Sequence, residues 1–66
     1  MRVLGVDPGL TRCGVGIVEG AVGSPITLVE VGVILTPTDS PLEQRLLDLD
    51  QQLSQWINMW KPDVIA

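Results

Sequence analysis

Val3-Leu4-Gly5-Val6 runs apolar into a single acid, Asp7, and then into the turn Pro8-Gly9-Leu10. A second run, Arg12 to Glu19, leaves that turn studded with glycine. Two strand-length runs joined by a Pro-Gly turn read as a hairpin. Pro sets φ for such a turn, and Gly supplies the positive φ that some turns need. Val3, Leu4 and Val6 make the first run apolar on both faces, as in a central strand covered from both sides. In the second run Cys13, Val15 and Ile17 face one way, and Gly14, Gly16 and Val18 the other.

The remaining residues extend the pattern. Residues 20–25, GAVGSP, have loop composition. Residues 26–35 predict a third strand, in which Val29, Val31, Val33 and Leu35 alternate with Glu30, Gly32 and Ile34. Ser40-Pro41-Leu42-Glu43 combines a capping-box spacing with Pro at the first helical position. From there Leu42, Leu46, Leu49, Leu53, Trp56 and Trp60 recur in steps of four and three, one apolar stripe on an amphipathic helix over 41–60. Pro62 ends it. Residues 64–66 open another strand, whose economical partner is the first strand, in parallel. The order is β-β-β-α-β: an antiparallel meander, one helix and the start of a parallel fourth strand in a mixed sheet. That is the opening order of the ribonuclease H-like and actin-like folds. A domain that stops as a strand begins is expected to be the N-terminal part, 1–66, of a longer single domain.

Composition narrows the chemistry. The chain has 66 residues, one cysteine and no histidine. It can form no internal disulfide, no zinc site of the usual Cys/His type, and no histidine-activated nucleophile. A net charge of −4 with 45% apolar residues is globular and argues against a large nucleic-acid footprint within these residues. No apolar run reaches the ~20 residues that span a bilayer. The start MRVLGVD does not resemble a secretory signal, and with a free cysteine this suggests a cytoplasmic protein.

Asp7 has two readings. It is a turn-former bonding its own backbone, or a carboxylate held at a strand tip as a ligand for a hard cation such as Mg²⁺. Gly9 and Gly14 remove bulk around it, so that backbone could approach a phosphate closely. Packing space under a helix, or a bulge, explains Gly14 and Gly16 as well. Thr11 and Arg12 offer a hydroxyl and a guanidinium to a phosphodiester, or simply make a solvated turn. Cys13 reads as a buried apolar residue, and Trp56 and Trp60 as core. Glu19, Glu30, Asp39, Asp48 and Asp50 read as solvated acids. Asp63 starts the next strand, far from Asp7's end of a parallel pair.

The stretches MRVLGVDPGLTRCGVGIVE, TLVEVGVILTP, PLEQRLLDL and KPDVIA resemble the N-terminal part of the RuvC family of bacterial Holliday junction resolvases. Asp7-Pro8-Gly9-Leu10 followed by Gly14 is the most specific portion. The resemblance implies a ribonuclease H-like fold and a homodimer that cuts four-way DNA junctions symmetrically, working with a branch-migration helicase complex. It also implies an acidic cluster holding Mg²⁺, two ions in the complete site, whose first member maps onto Asp7. The second would lie just past Ala66 and the others on a later helix. Two such ions about 3.5–4 Å apart clamp the attacking water and the leaving oxygen. One carboxylate does not anchor that pair, so the 66 residues alone are expected to be inactive. With one helix of those that should cover the sheet, Val3, Val31 and Val33 are expected to stay partly bare, inviting self-association.

Two rivals share the pattern. The YqgF-type RuvC-like nucleases also carry D-x-G-x-x-R-x-G, which Asp7, Gly9, Arg12 and Gly14 satisfy. The actin-like ATPases and sugar kinases carry an acid and a Gly-Thr-Thr turn, but this chain has Leu10 at the first Thr. A further reading is a non-catalytic interaction module in which Asp7 merely shapes a turn.

Overall fold

The computed structural model describes residues 1–66. Strands β1 (Arg2–Asp7), β2 (Arg12–Glu19) and β3 (Thr27–Leu35) form the antiparallel meander. Helix α1 (Leu42–Trp60) then crosses the sheet, and β4 (Val64–Ile65) pairs parallel with β1. The strand order is β3-β2-β1-β4, so β1 lies inside the sheet with a partner on each side. Ala66 prolongs the parallel ladder: its N–H donates to Leu4 O at 2.9 Å, and its carbonyl accepts from Val6 N–H at 2.8 Å.

The helix covers one face of the sheet. That face carries the fully buried Leu4, Cys13, Val15, Ile17 and Ile34. Leu49, Leu53, Trp56, Ile57 and Trp60 pack down on them from α1. Full burial of such side chains is worth about 1.5–3 kcal/mol each. Leu42 and Leu46, placed on the same stripe by periodicity, stay more than half exposed. The stripe is longer than the sheet beneath it, so only its C-terminal portion finds a partner.

Four local features depart from the sequence reading. Pro41 is the N-cap and not the first helical residue: its φ of −57° suits a helix, but its ψ of 151° is extended. Ser40 is therefore one residue too early to cap, and no side chain caps the helix. The Pro41 carbonyl accepts from Gln44 N–H at 3.1 Å and Arg45 N–H at 3.0 Å instead. The β2–β3 register slips between Ile17 and Val18, which pair with Glu30 and Leu28. The skipped residue, Val29, packs against the core, whereas Val31 and Val33 stay on the bare face, 64% and 51% exposed. A bulge inserts one residue and so breaks the strict alternation of faces. β3 starts at Thr27, paired with Glu19, and leaves Ile26 in the loop. Finally, Gly9 does not have positive φ; in the loop GAVGSP it is Gly23 that does, at 81°.

The helix ends as expected. Lys61 takes the left-handed conformation (φ 47°, ψ 59°) and donates its N–H to Ile57 O at 2.8 Å. Pro62 prevents a further turn. Asp63 then ties β4 to β1 twice: its Oδ2 accepts from Arg2 N–H, and its own N–H donates to Arg2 O, both at 2.8 Å. It is a structural acid at the opposite end of β1 from Asp7.

Candidate active site

Asp7 is the last residue of β1 and is exposed. Its cross-strand partner is Gly14. Pairs in register share a face, and successive residues alternate. Asp7 therefore projects on the face away from α1, together with Val3, Gly5, Gly14, Gly16, Val31 and Val33. A shallow open depression runs along this face, floored by Gly5, Gly14 and Gly16, walled by Val31 and Val33, with Asp7 at its end. Nothing in the chain hydrogen-bonds the Asp7 carboxylate. The turn-former reading required such a bond to its own backbone, and none is made.

The glycines divide into two kinds. A Cβ on Gly14 would meet Asp7 Cβ at 3.5 Å, and one on Gly16 would meet Glu30 O at 3.7 Å, both ordinary contacts. No helix packs over either, so space under α1 is not their purpose. Gly32 has that duty: its Cβ would stand 2.6 Å from Trp56 Cζ2. Gly9 is required by the backbone itself, because a Cβ there would collide with the Arg12 carbonyl oxygen. The tight turn brings that carbonyl over Gly9 Cα.

Thr11 and Arg12 behave differently from each other. The Thr11 hydroxyl accepts from Arg45 Nη2 at 3.0 Å. It is thus tied to the first turns of α1, and not loose in solvent. Arg12 is exposed and its guanidinium has no partner in the chain. The residue with no place in the sequence analysis is Arg45, which lies off the apolar stripe of the helix. Glu19 was also underrated: its carboxylate accepts from Arg2 Nε at 2.7 Å, while Arg2 Nη1 reaches Trp60 O at 2.9 Å. The only available signal for either was an arginine at an unremarkable position.

As a donor set, the site is one hard oxygen ligand, of the class Mg²⁺ takes. No group of three or more His, Cys, Asp or Glu side chains comes together that could hold a metal ion. Asp7 fits such an ion as one ligand among several. No helix is long and apolar enough to cross a membrane.

The family model described as "Crossover junction endodeoxyribonuclease RuvC" matches residues 3–66. The chain belongs to the RuvC family. Among RuvC proteins, that of Streptomyces avermitilis is 54% identical over all 66 residues, and that of Thermobifida fusca 52%. The chain spans 38% and 36% of those two proteins, well under half of their length. Two solved structures share the fold. One, described as T. thermophilus RuvC in complex with Holliday junction substrate, aligns over 98% of this chain and 41% of its own, with a TM-score of 0.87 and 25% identity. The other, Thermus thermophilus RuvC, gives a TM-score of 0.83 at 27% identity. The mixed sheet with one helix is thus the RuvC, ribonuclease H-like arrangement.

Proposed function

We propose that these residues form the N-terminal part of a metal-dependent endonuclease that resolves four-way DNA junctions, with Asp7 as the first carboxylate of its metal cluster. One observation carries the reading: an exposed carboxylate without a hydrogen-bond partner stands at the end of an interior strand, on a glycine-floored face. Pairing with Gly14 of β2, at the end of a strand flanked on both sides up to Val6, holds it in place, as a ligand that must meet an ion and a phosphate together requires. The register supports a second ligand close by. Val3 pairs with Val64 and Leu4 with Ile65, so a residue two positions past Ala66 would stand level with Asp7.

Mg²⁺, as a pair of ions in the complete cluster, would supply charge to the attacking and leaving oxygens of the phosphodiester. The chain's own residues orient and admit. Gly9 and Gly14 keep side-chain bulk away from Asp7, and Arg12 offers an unpaired guanidinium to the DNA backbone. The protein is further proposed to be cytoplasmic, to act as a homodimer on two strands symmetrically, and to work beside a branch-migration helicase complex.

The test is Asp7→Asn in the complete protein. Single-turnover cleavage of a four-way junction should fall on the order of 10²–10³-fold, with junction affinity within about twofold of the parent. The exposed site predicts a stability change within about 0.5 kcal/mol. Full cleavage by the variant, or loss of folding in place of cleavage, would sink the assignment.

A further inference from the structure

The turn between β1 and β2 is fastened to a remote part of the chain. Arg45, four residues into the helix that follows β3, donates from Nη2 to Thr11 Oγ1 at 3.0 Å and from Nε to Thr36 Oγ1 at 3.3 Å. The Thr36 hydroxyl donates in turn to the Leu10 carbonyl. Thr36 N–H donates to Thr11 O at 3.3 Å. Thr36 is 5% exposed, the only buried polar residue in the chain. Three of these four bonds end on Leu10 or Thr11, within the segment between Asp7 and Arg12, and the fourth ties Arg45 to Thr36.

We propose that Arg45 is a positioning residue for DNA cleavage, which sets the turn between Asp7 and Arg12 against the helix. This rests on the nuclease reading above. Three physical points support it. A short turn closed by Gly9 has no side-chain packing of its own, and Leu10, Thr11 and Arg12 are all exposed. Such a segment keeps one geometry only through hydrogen bonds to something rigid. The bond to Thr11 is charge-assisted and comes from a planar fork, which fixes direction as well as distance. The same fork reaches Thr36, so one side chain couples two points far apart in sequence. Lysine concentrates its donors on one flexible nitrogen and lacks the planar fork that aims separate N–H groups at the two hydroxyls. Arg45 also uses Thr11 as acceptor, which leaves the Thr11 proton free to donate outward. In a reaction that depends on alignment, misplacement by about 1 Å can cost on the order of a hundredfold.

The experiment uses the complete protein and the variants Arg45→Gln, Arg45→Lys, Thr11→Val and the Arg45→Gln/Thr11→Val double, below their unfolding temperatures. Three quantities are read: amide hydrogen exchange over residues 9–13 without DNA, junction affinity, and single-turnover cleavage at saturating protein. Arg45→Gln should speed exchange in the turn at least tenfold. It should lower cleavage on the order of tenfold to a hundredfold while junction affinity changes less than twofold. Thr11→Val should shift the same readouts in the same direction, and the double should be no worse than Arg45→Gln alone, since Arg45→Gln already removes the bond that Thr11→Val cuts. Arg45→Lys should recover less than half of the lost rate. A loosened turn with unchanged cleavage overturns the positioning role, as does a turn that does not loosen, or effects that multiply in the double. If the parent protein does not cut junctions while Arg45→Gln still loosens the turn, the nuclease reading has failed and the role falls with it.

Discussion

The indole of Trp56 lies on the bare Cα of Gly32: a Cβ at that glycine would stand 2.6 Å from Trp56 Cζ2 and 3.0 Å from Cη2. This one contact sets how closely α1 approaches β3. Gly32→Ala therefore has to push the ring, and the helix with it, outward. Overpacking of this kind costs typically about 1–3 kcal/mol. Chemical denaturation of the complete protein should show that loss. Combining Gly32→Ala with Trp56→Leu should give a total smaller than the sum of the singles, because the two changes share one space. Additive losses would mean that the helix seats elsewhere.

Gly14 poses the opposite case. A methyl group there fits at 3.5 Å from Asp7 Cβ. Gly14→Ala should keep stability within about 0.5 kcal/mol and retain most junction cleavage. Gly14→Leu should fold, since the face is open, yet cleave poorly, because a branched chain beside Asp7 occupies the approach to its carboxylate. Equal activity of the two variants would argue that clearance at this position does not matter.

Arg2 holds the other end of β1. It reaches Glu19 and the Trp60 carbonyl, and its guanidinium carbon lies 6.0 Å from the Trp60 ring centroid. The ion pair is roughly a third to a half exposed and so counts for little alone. Together with the bond to a helix-terminal carbonyl, Arg2→Ala should cost about 1–2 kcal/mol. Cleavage measured well below the unfolding temperature should be unaffected, since Asp7 is at the opposite end of the strand. A selective loss of cleavage would contradict this division of labour.

The 66 residues produced alone should show no Mg²⁺-dependent junction cleavage, because no cluster of three metal-ligating side chains forms among them. Incubation of the purified peptide with a labelled four-way junction and Mg²⁺ checks this directly. Measurable cutting would require a metal site that Asp7 alone does not provide.

The strands, the helix and the position of Asp7 at a strand tip were legible in the residues because each is written locally, in alternation, in a three-and-four stripe, and in a Pro-Gly turn after an acid. Cys13 and the tryptophans were read correctly for the same reason. What escaped depends on distant partners. Arg45 looks like any solvent-facing helix residue until Thr11 and Thr36 are brought under it. Glu19 gains its meaning only when Arg2 lies opposite. The slip that turns Val29 toward the core is invisible in a clean alternation, and the bare Leu42 and Leu46 reflect how far the sheet extends. Ser40 misled because capping depends on the ψ of Pro41, which no spacing rule reports.

The parallel pairing of β4 with β1 has a consequence for the order in which the molecule is made. Strand β1 leaves the ribosome before β2 and β4, and its second neighbour arrives some sixty residues later, with Val3 meeting Val64. Until then the meander and the helix can settle through nearer contacts, while β1 waits with one edge open. The strand that carries Asp7 becomes interior only when β4 arrives. Newly made chains thus pass through an interval in which the strand destined for the interior offers an open edge to any neighbour.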